Sequence, residues 1–306
     1  MARRVRNILL LWTDQQRPDT IGAYGNHDIQ SPALDRLASS ACLFEQAYAA
    51  EPVCTPSRAT VLTGLYPHTH RLVTNGEVLR PDVPTLAELL GPADYVCGYA
   101  GKWHLGNEVR PQRGFETFWA STEDRYSGDI AAEGYSAYHH FLVARGYRPP
   151  DRGVGGRTFS RGTAASLPEE VGKPAFQAAE CIRFLETYRD RPFFLSCNFL
   201  EPHHPYAGPY NDRYRPQDMQ LPESWYREPE PTVPLRFRLR RQAYVEGLAH
   251  ELPADVAGTE DRWRTAKARY WGNCSLVDKY AGHILQRLED LVLAEDTVVI
   301  YTSDQG

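Results

Sequence analysis

With 306 residues, 42% of them hydrophobic and 24% charged, the chain has the makeup of an ordinary globular protein with room for one large α/β domain. A formal net charge of −5 argues against nucleic acid as the main partner, and no apolar run approaches the roughly 18 residues of a membrane span. Six widely spaced cysteines without a Cys-x-x-Cys pair point away from a disulfide framework or zinc knuckle and toward reduced core thiols in a cytoplasmic protein.

The N-terminus carries Arg3, Arg4 and Arg6 and enters a strand-like run at once, so no signal peptide is expected. Residues 7–12 form a continuous apolar run, the mark of a strand buried on both faces, and it stops at Thr13-Asp14-Gln15-Gln16. Ser31-Pro32 reads as an N-cap and first helical residue. Residues 43–48 are expected to form a short strand. Pro56 suits a first helical turn, and residues 57–63 continue a short helix that ends at Gly64. Residues 85–90, closed by Gly91, read as a helix, and 95–100 as a strand leading into Gly101-Lys102-Trp103-His104-Leu105-Gly106.

From about 120 to 173 periodicity fades, and long loops with one helix near 136–144 are expected. Residues 174–188 are helical by period, with Phe176, Ala179, Ile182 and Leu185 on one face. Residues 193–199 form another strand, ending in Glu201-Pro202-His203-His204-Pro205, and 205–235 read as surface loops. Trp271, Cys274, Val277, Ala281, Ile284 and Leu288 recur at helical spacing before a buried strand at 297–301, and the chain stops at Ser303-Asp304-Gln305-Gly306. The alternation predicts a doubly wound, mostly parallel sheet flanked by helices, with ligands beyond the carboxyl ends of its strands.

Three groups of residues carry chemistry. Cys54-Thr55-Pro56-Ser57-Arg58 puts a sulfur at the positive end of a helix, one turn from a planar cation that fits tetrahedral oxyanions. Asp14-Gln15 and Asp304-Gln305 close the first and last strands, and their oxygens suit Ca²⁺, Mg²⁺ or Mn²⁺ rather than Zn²⁺. Lys102 and His104, two apart on an extended segment, face one side and pair a cation with a titratable imidazole.

Cys54-Thr55-Pro56-Ser57-Arg58 with Thr63-Gly64 resembles the signature of the sulfatases, a branch of the alkaline phosphatase superfamily. The 101–106 segment, the Pro-His element at 202–205, the strand-end acids, Asn26, Ser31-Pro32, Asp35, Arg113-Gly114-Phe115 and Asp278 match the family in order; the softer matches belong to packing and capping. The resemblance implies an alkaline-phosphatase-like fold, with residues 1–306 as the N-terminal catalytic domain, loop-rich insertions at 120–173 and 205–260, and a C-terminal subdomain absent. It implies conversion of Cys54 to formylglycine by a maturation enzyme, and one divalent ion, Ca²⁺ before Mn²⁺ or Mg²⁺, held by Asp14, Gln15, residue 54, Asp304 and Gln305. Asn or His is usual where Gln305 stands.

By the same resemblance Lys102 contacts the sulfate and the aldehyde hydrate, His104 helps expel sulfate, and His203 binds the sulfate and assists the leaving group. His204 is a rival for that role. Arg58, Lys102 and His203 would neutralise charge on the transferring group. The implied activity is hydrolysis of small sulfate esters. The alternatives are phosphonate monoester or phosphodiester hydrolysis, and an inert metal- or anion-binding homologue.

Overall fold

The computed structural model describes residues 6–124, 134–153, 156–246 and 252–306; Arg3 and Arg4 lie outside them. Strand β1 (Asn7–Asp14) is followed by helices α1 (Pro32–Ser39), α2 (Cys54–Thr63), α3 (Pro67–His70) and α4 (Leu86–Leu90), then strands β2 (Val96–Gly101) and β3 (Phe118–Ser121). Next come α5 (Ala137–Ala144), a small hairpin of β4 (Asp151–Gly153) and β5 (Gly156–Thr158), α6 (Arg161–Ala165), α7 (Lys173–Tyr188) and β6 (Phe193–Pro202). The chain continues through α8 (Glu223–Tyr226), α9 (Leu235–Val245) and the long α10 (Thr259–Asp290) to β7 (Thr297–Ser303).

The main sheet has the order β3-β2-β6-β1-β7, and every neighbouring pair is parallel. The apolar run of β1 serves both faces, as a parallel strand must. Leu9 and Leu11 join a cluster with Phe176, Phe184, Val277 and Ile284 from α7 and α10. Leu10 and Trp12 point the other way, into a cluster with Leu62, Tyr99, Trp103 and Phe115. Burying each of these large side chains stabilises the sheet by about 1.5–3 kcal/mol.

Three expectations are corrected. Residues 43–48 form no strand, because the segment buries no face against the sheet; Phe44 and Tyr48 are exposed, as are all residues from 39 to 50. β7 is an edge strand, so Val298 and Ile300 are 40% and 44% exposed instead of buried. β3 escaped the sequence reading because it is only four residues long. Ser31 occupies the N-cap position of α1 but makes no cap bond. The carboxylate of Asp278 on α10 accepts from Ala33 and Leu34 N–H in its place.

All six cysteines are free; Cys42 is exposed and the rest are buried. Among the described residues no helix is long and apolar enough to cross a membrane.

Candidate active site

Sheet register brings the two ends of the chain together. Thr13 of β1 lies opposite Ser303 of β7, so Asp14 and Asp304 leave adjacent strands side by side. Both are buried. Gln15, in left-handed backbone at φ 66°, donates its N–H to Asp304 Oδ1 at 3.1 Å, and its carbonyl accepts from Tyr270 at 2.6 Å. Gln15 therefore enters this network through its backbone. Gln305 enters through its side chain, with Nε2 donating to Cys54 Sγ at 3.2 Å.

Helix α2 delivers Cys54, Ser57 and Arg58 to the same place. It ends where Gly64 takes the left-handed conformation (φ 71°) and donates to Thr60 O at 2.8 Å. Cys54 Sγ lies 3.7 Å from Asp14 Oδ1, and Ser57 Oγ donates to the Asp304 carbonyl. Arg58 is fully buried, and its fork is spent on the scaffold. Nη2 meets Asp14 Oδ2 at 3.1 Å and Asp304 Oδ2 at 3.0 Å. Nη1 donates to Lys102 O at 2.7 Å and Asn198 Oδ1 at 2.8 Å. Arg58 thus pins the strand-end acids.

Strand β2 stops at Gly101, where φ is 121° and a Cβ would sit 1.9 Å from the Asn198 carbonyl oxygen. Beyond it the chain is not an extended strand as expected, since His104 takes left-handed backbone at φ 62°. Trp103 enters the aromatic core, and Lys102 Nζ reaches Asp14 Oδ2 at 2.5 Å. The segment is fixed by Glu108, whose buried carboxylate accepts from Trp103 N–H at 2.8 Å and His104 N–H at 2.7 Å. The His104 carbonyl accepts from Thr55 Oγ1 at 3.0 Å, tying the segment to α2.

The two histidines after β6 separate cleanly. His203 is buried and clusters with Asp14 and Cys54, their ligand atoms all within 4.8 Å of one another. His204 contributes its carbonyl, which lies 2.6 Å from His203 Nδ1. A carbonyl only accepts, so Nδ1 carries the proton, and Nε2 of a neutral ring is an acceptor.

Electrostatics follow from burial and sign. Burial pushes Asp14 up, but Lys102, Arg58 and His203 outweigh it and hold the carboxyl far below the usual range. Burial and the charge on Asp14 push Asp304 up to about 7. Burial opposes the charge on Arg58, yet Asp304 and Asp14 hold it firmly protonated. Burial, then Asp14, push the Cys54 thiol up to about 11, so at neutral pH it stays protonated. Burial lowers both imidazoles, helped at His104 by Lys102 and at His203 by Arg161; His104 falls to about 2 and His203 to about 3.

The donors fit a hard divalent cation. Asp14 and Asp304 are buried carboxylates, and Asp304 Oδ2 receives no hydrogen bond although Arg58 stands 3.0 Å away. With Arg58 and Lys102 balancing the two acids, a divalent ion here makes the centre cationic and receptive to an anionic ester.

Sequence reasoning missed Asn198, Glu108, Glu123 and Arg161. Each is a lone polar residue whose partner is close only after folding. A buried acid or amide next to a recognised segment was the one available signal.

A family profile described as Sulfatase matches residues 6–306. Iduronate 2-sulfatase of Mus musculus is 28% identical over 98% of this chain and 54% of its own length. Steryl-sulfatase of Mus musculus is 38% identical over 100% of this chain and 52% of its own. The chain thus spans about half the length of the curated relatives it matches. A phosphonate monoester hydrolase of Agrobacterium radiobacter superposes with a TM-score of 0.70 at 25% identity, covering 98% of this chain and 62% of that one.

Proposed function

The chain belongs to the sulfatase family, and from that premise we propose that this site hydrolyses sulfate esters to an alcohol and sulfate, using a nucleophile made from Cys54 and a bound divalent cation. One observation carries the reading. Cys54, Arg58 and Lys102 meet the carboxylates of Asp14 and Asp304, brought from opposite ends of the chain.

Cys54 as it stands is a poor nucleophile, since its thiol holds its proton near neutral pH. Conversion to formylglycine by a maturation enzyme would supply a hydrated aldehyde in its place. Asp14 and Asp304 would hold the cation, with Ca²⁺ preferred and Mg²⁺ or Mn²⁺ acceptable to the same oxygens; its chemistry is to withdraw charge from the sulfate. Gln305 lies against residue 54 and orients it. Lys102 offers the mobile positive charge for the sulfate oxygens, while Arg58 keeps both acids aimed.

Both imidazoles are neutral before substrate binds. An incoming sulfate ester opposes the cations that depress them and moves their pKa values upward. His104 can then take a proton from the hydrate, and His203, once it has gained a proton at Nε2, can give that proton to the leaving oxygen. Glu108 keeps His104 in place for this.

A second reading is hydrolysis of phosphonate monoesters or phosphodiesters. The likeness to a phosphonate monoester hydrolase favours it, and a tetrahedral anion site separates phosphorus from sulfur poorly. The test is to express the chain with a formylglycine-generating enzyme and weigh the Cys54 peptide, which should be lighter by about 18 Da. Rates on 4-nitrophenyl sulfate and 4-nitrophenyl phenylphosphonate are then compared. Faster sulfate turnover supports the proposal; faster phosphonate turnover moves the assignment to the second reading. No turnover of either by the modified chain leaves an anion-binding homologue.

A further inference from the structure

Before any modification, residue 54 carries a sulfur, and that sulfur faces two other kinds of metal ligand. Cys54 Sγ, a carboxylate oxygen of Asp14 and a ring nitrogen of His203 all lie within 4.8 Å of one another. All three residues are more than nine-tenths buried, at 4%, 0% and 7% exposure. Asp14 Oδ2 is taken by Arg58 at 3.1 Å and Lys102 at 2.5 Å. Its other oxygen, Oδ1, hydrogen-bonds only with the Cys54 thiol among the described residues, at 3.7 Å. A tetrahedral site with a metal–sulfur bond of about 2.3 Å and a metal–oxygen bond of about 2.1 Å sets those two atoms about 3.6 Å apart. Sulfur and carboxylate are therefore already spaced as one edge of a tetrahedron.

The imidazole is prepared in the same sense. His203 Nδ1 gives its proton to the His204 carbonyl at 2.6 Å, which leaves the lone pair on Nε2. An acceptor behind the ring that fixes tautomer and orientation is the usual support of a metal-binding histidine. Arg161 Nη1 lies 3.4 and 3.5 Å from the two ring nitrogens, at the outer limit of a hydrogen bond, and the charge of Arg161 is balanced by the buried Glu123. Gln305 Nε2 donates to Cys54 Sγ at 3.2 Å, a bond that strengthens when the sulfur is a thiolate.

We propose that the unmodified chain binds one thiophilic divalent cation, of which Zn²⁺ is the type, through Cys54 Sγ, His203 Nε2 and Asp14 Oδ1, with solvent at the fourth corner. One sulfur, one imidazole and one carboxylate are a donor set for a soft tetrahedral ion. The thiol proton passes to solvent as the metal–sulfur bond forms, and no electron changes hands. Thiolate and carboxylate cancel the two charges of the ion, so the ion pairs of Arg58 and Lys102 with the strand-end acids need not break. This site shares Asp14 with the centre for a hard cation but turns to sulfur and imidazole instead of Asp304, so the two ions exclude each other. Replacing the sulfur with the oxygens of an aldehyde hydrate removes the soft donor. On the maturation reading above, conversion of Cys54 thus also switches the centre from thiophilic to oxophilic; binding by the thiol form stands without that reading.

The test is a Co²⁺ titration of the whole unmodified chain carrying Cys42→Ser, which removes the exposed thiol. Co²⁺ takes the same tetrahedral site and reports a bound thiolate by a charge-transfer band in the near ultraviolet. The band should saturate at one ion per chain and be bleached by Zn²⁺. It should be absent in Cys54→Ser, and Co²⁺ affinity should fall by at least about tenfold in His203→Ala, with near-ultraviolet circular dichroism checking that both variants fold. The chain converted to formylglycine should show no band, a comparison that needs no substitution in the site. No band in the unmodified chain, a band that survives Cys54→Ser or conversion, or unchanged affinity in His203→Ala overturns the proposal. Turnover is read separately: a chain that shows the band as a thiol but hydrolyses nothing once converted would remove the hydrolase reading and leave the metal site standing.

Discussion

Replacing Arg58 with methionine tests whether the strand-end acids are held by one buried cation. Arg58 makes four contacts at 2.7–3.1 Å, to the Lys102 carbonyl, Asn198, Asp14 and Asp304, and is fully buried. Methionine fills similar space but leaves two buried carboxylates sharing only Lys102, which reaches Asp14. Removing one partner of a buried ion pair costs about 3–5 kcal/mol, most of it from the charge left behind. In a domain of this size that lowers the melting temperature by on the order of 10 °C. The cost should fall mainly on Asp304, whose carboxyl is already pushed up by burial and by Asp14. Adding Asp304→Asn to Arg58→Met should therefore restore at least about 1 kcal/mol relative to the single variant, an interaction read from a double-mutant cycle in urea. A double variant no more stable than Arg58→Met, or a single variant that melts with the parent, would refute the reasoning.

Glu108→Gln keeps one acceptor for Trp103 and His104 N–H and turns an amide donor toward the other. Leaving that buried donor unpaired should cost about 1–3 kcal/mol in urea unfolding and lower kcat more than it raises KM, because His104 shifts. Asp278 caps α1 and is pushed up to about 6 by burial, against the pull of the Leu34 and Ala33 N–H groups. Its folded pKa lies above the unfolded one, so the stability linked to its proton is present below about pH 4 and is lost as pH rises toward 6. Asp278→Asn should abolish that slope, worth roughly 2–3 kcal/mol between those limits, in unfolding curves taken across the range. Divalent metal affinity should rise with pH through the range near 7, because Asp304 must shed the proton that burial and Asp14 favour; calorimetry in buffers of different ionisation enthalpy would detect the released proton. Chelation should stop turnover while leaving near-ultraviolet circular dichroism intact, since Arg58 and Lys102 already balance the acids.

What could be read from the sequence was what local rules encode. The run at 7–12 needed only its unbroken apolarity to declare a strand buried on both faces, and Asp14 followed as its end. Pro56 and Gly64 bracket α2 by their own backbone preferences. Failures came where context overrides pattern. Phe44 and Tyr48 look like strand residues, yet they are exposed and their segment packs no face against the sheet. Val298 and Ile300 read as core, but nothing among the described residues pairs with the outer side of β7. The supports of the site were hidden for another reason. Asn198 lies 140 residues from Arg58, and Glu123 lies 50 from Lys173. Hydrogen bonds across such spans leave no local signature. Nor does spacing tell His203 from His204; folding places His203, buried, beside Asp14 and Cys54.

The most direct measurement is the anomalous difference map of a crystal of this chain soaked in Mn²⁺. The account predicts one strong peak bonded to Asp14 and Asp304 and adjacent to residue 54, with Lys102 drawn off the Asp14 carboxylate. A peak elsewhere, or none, with both acids still locked on Arg58 would contradict it.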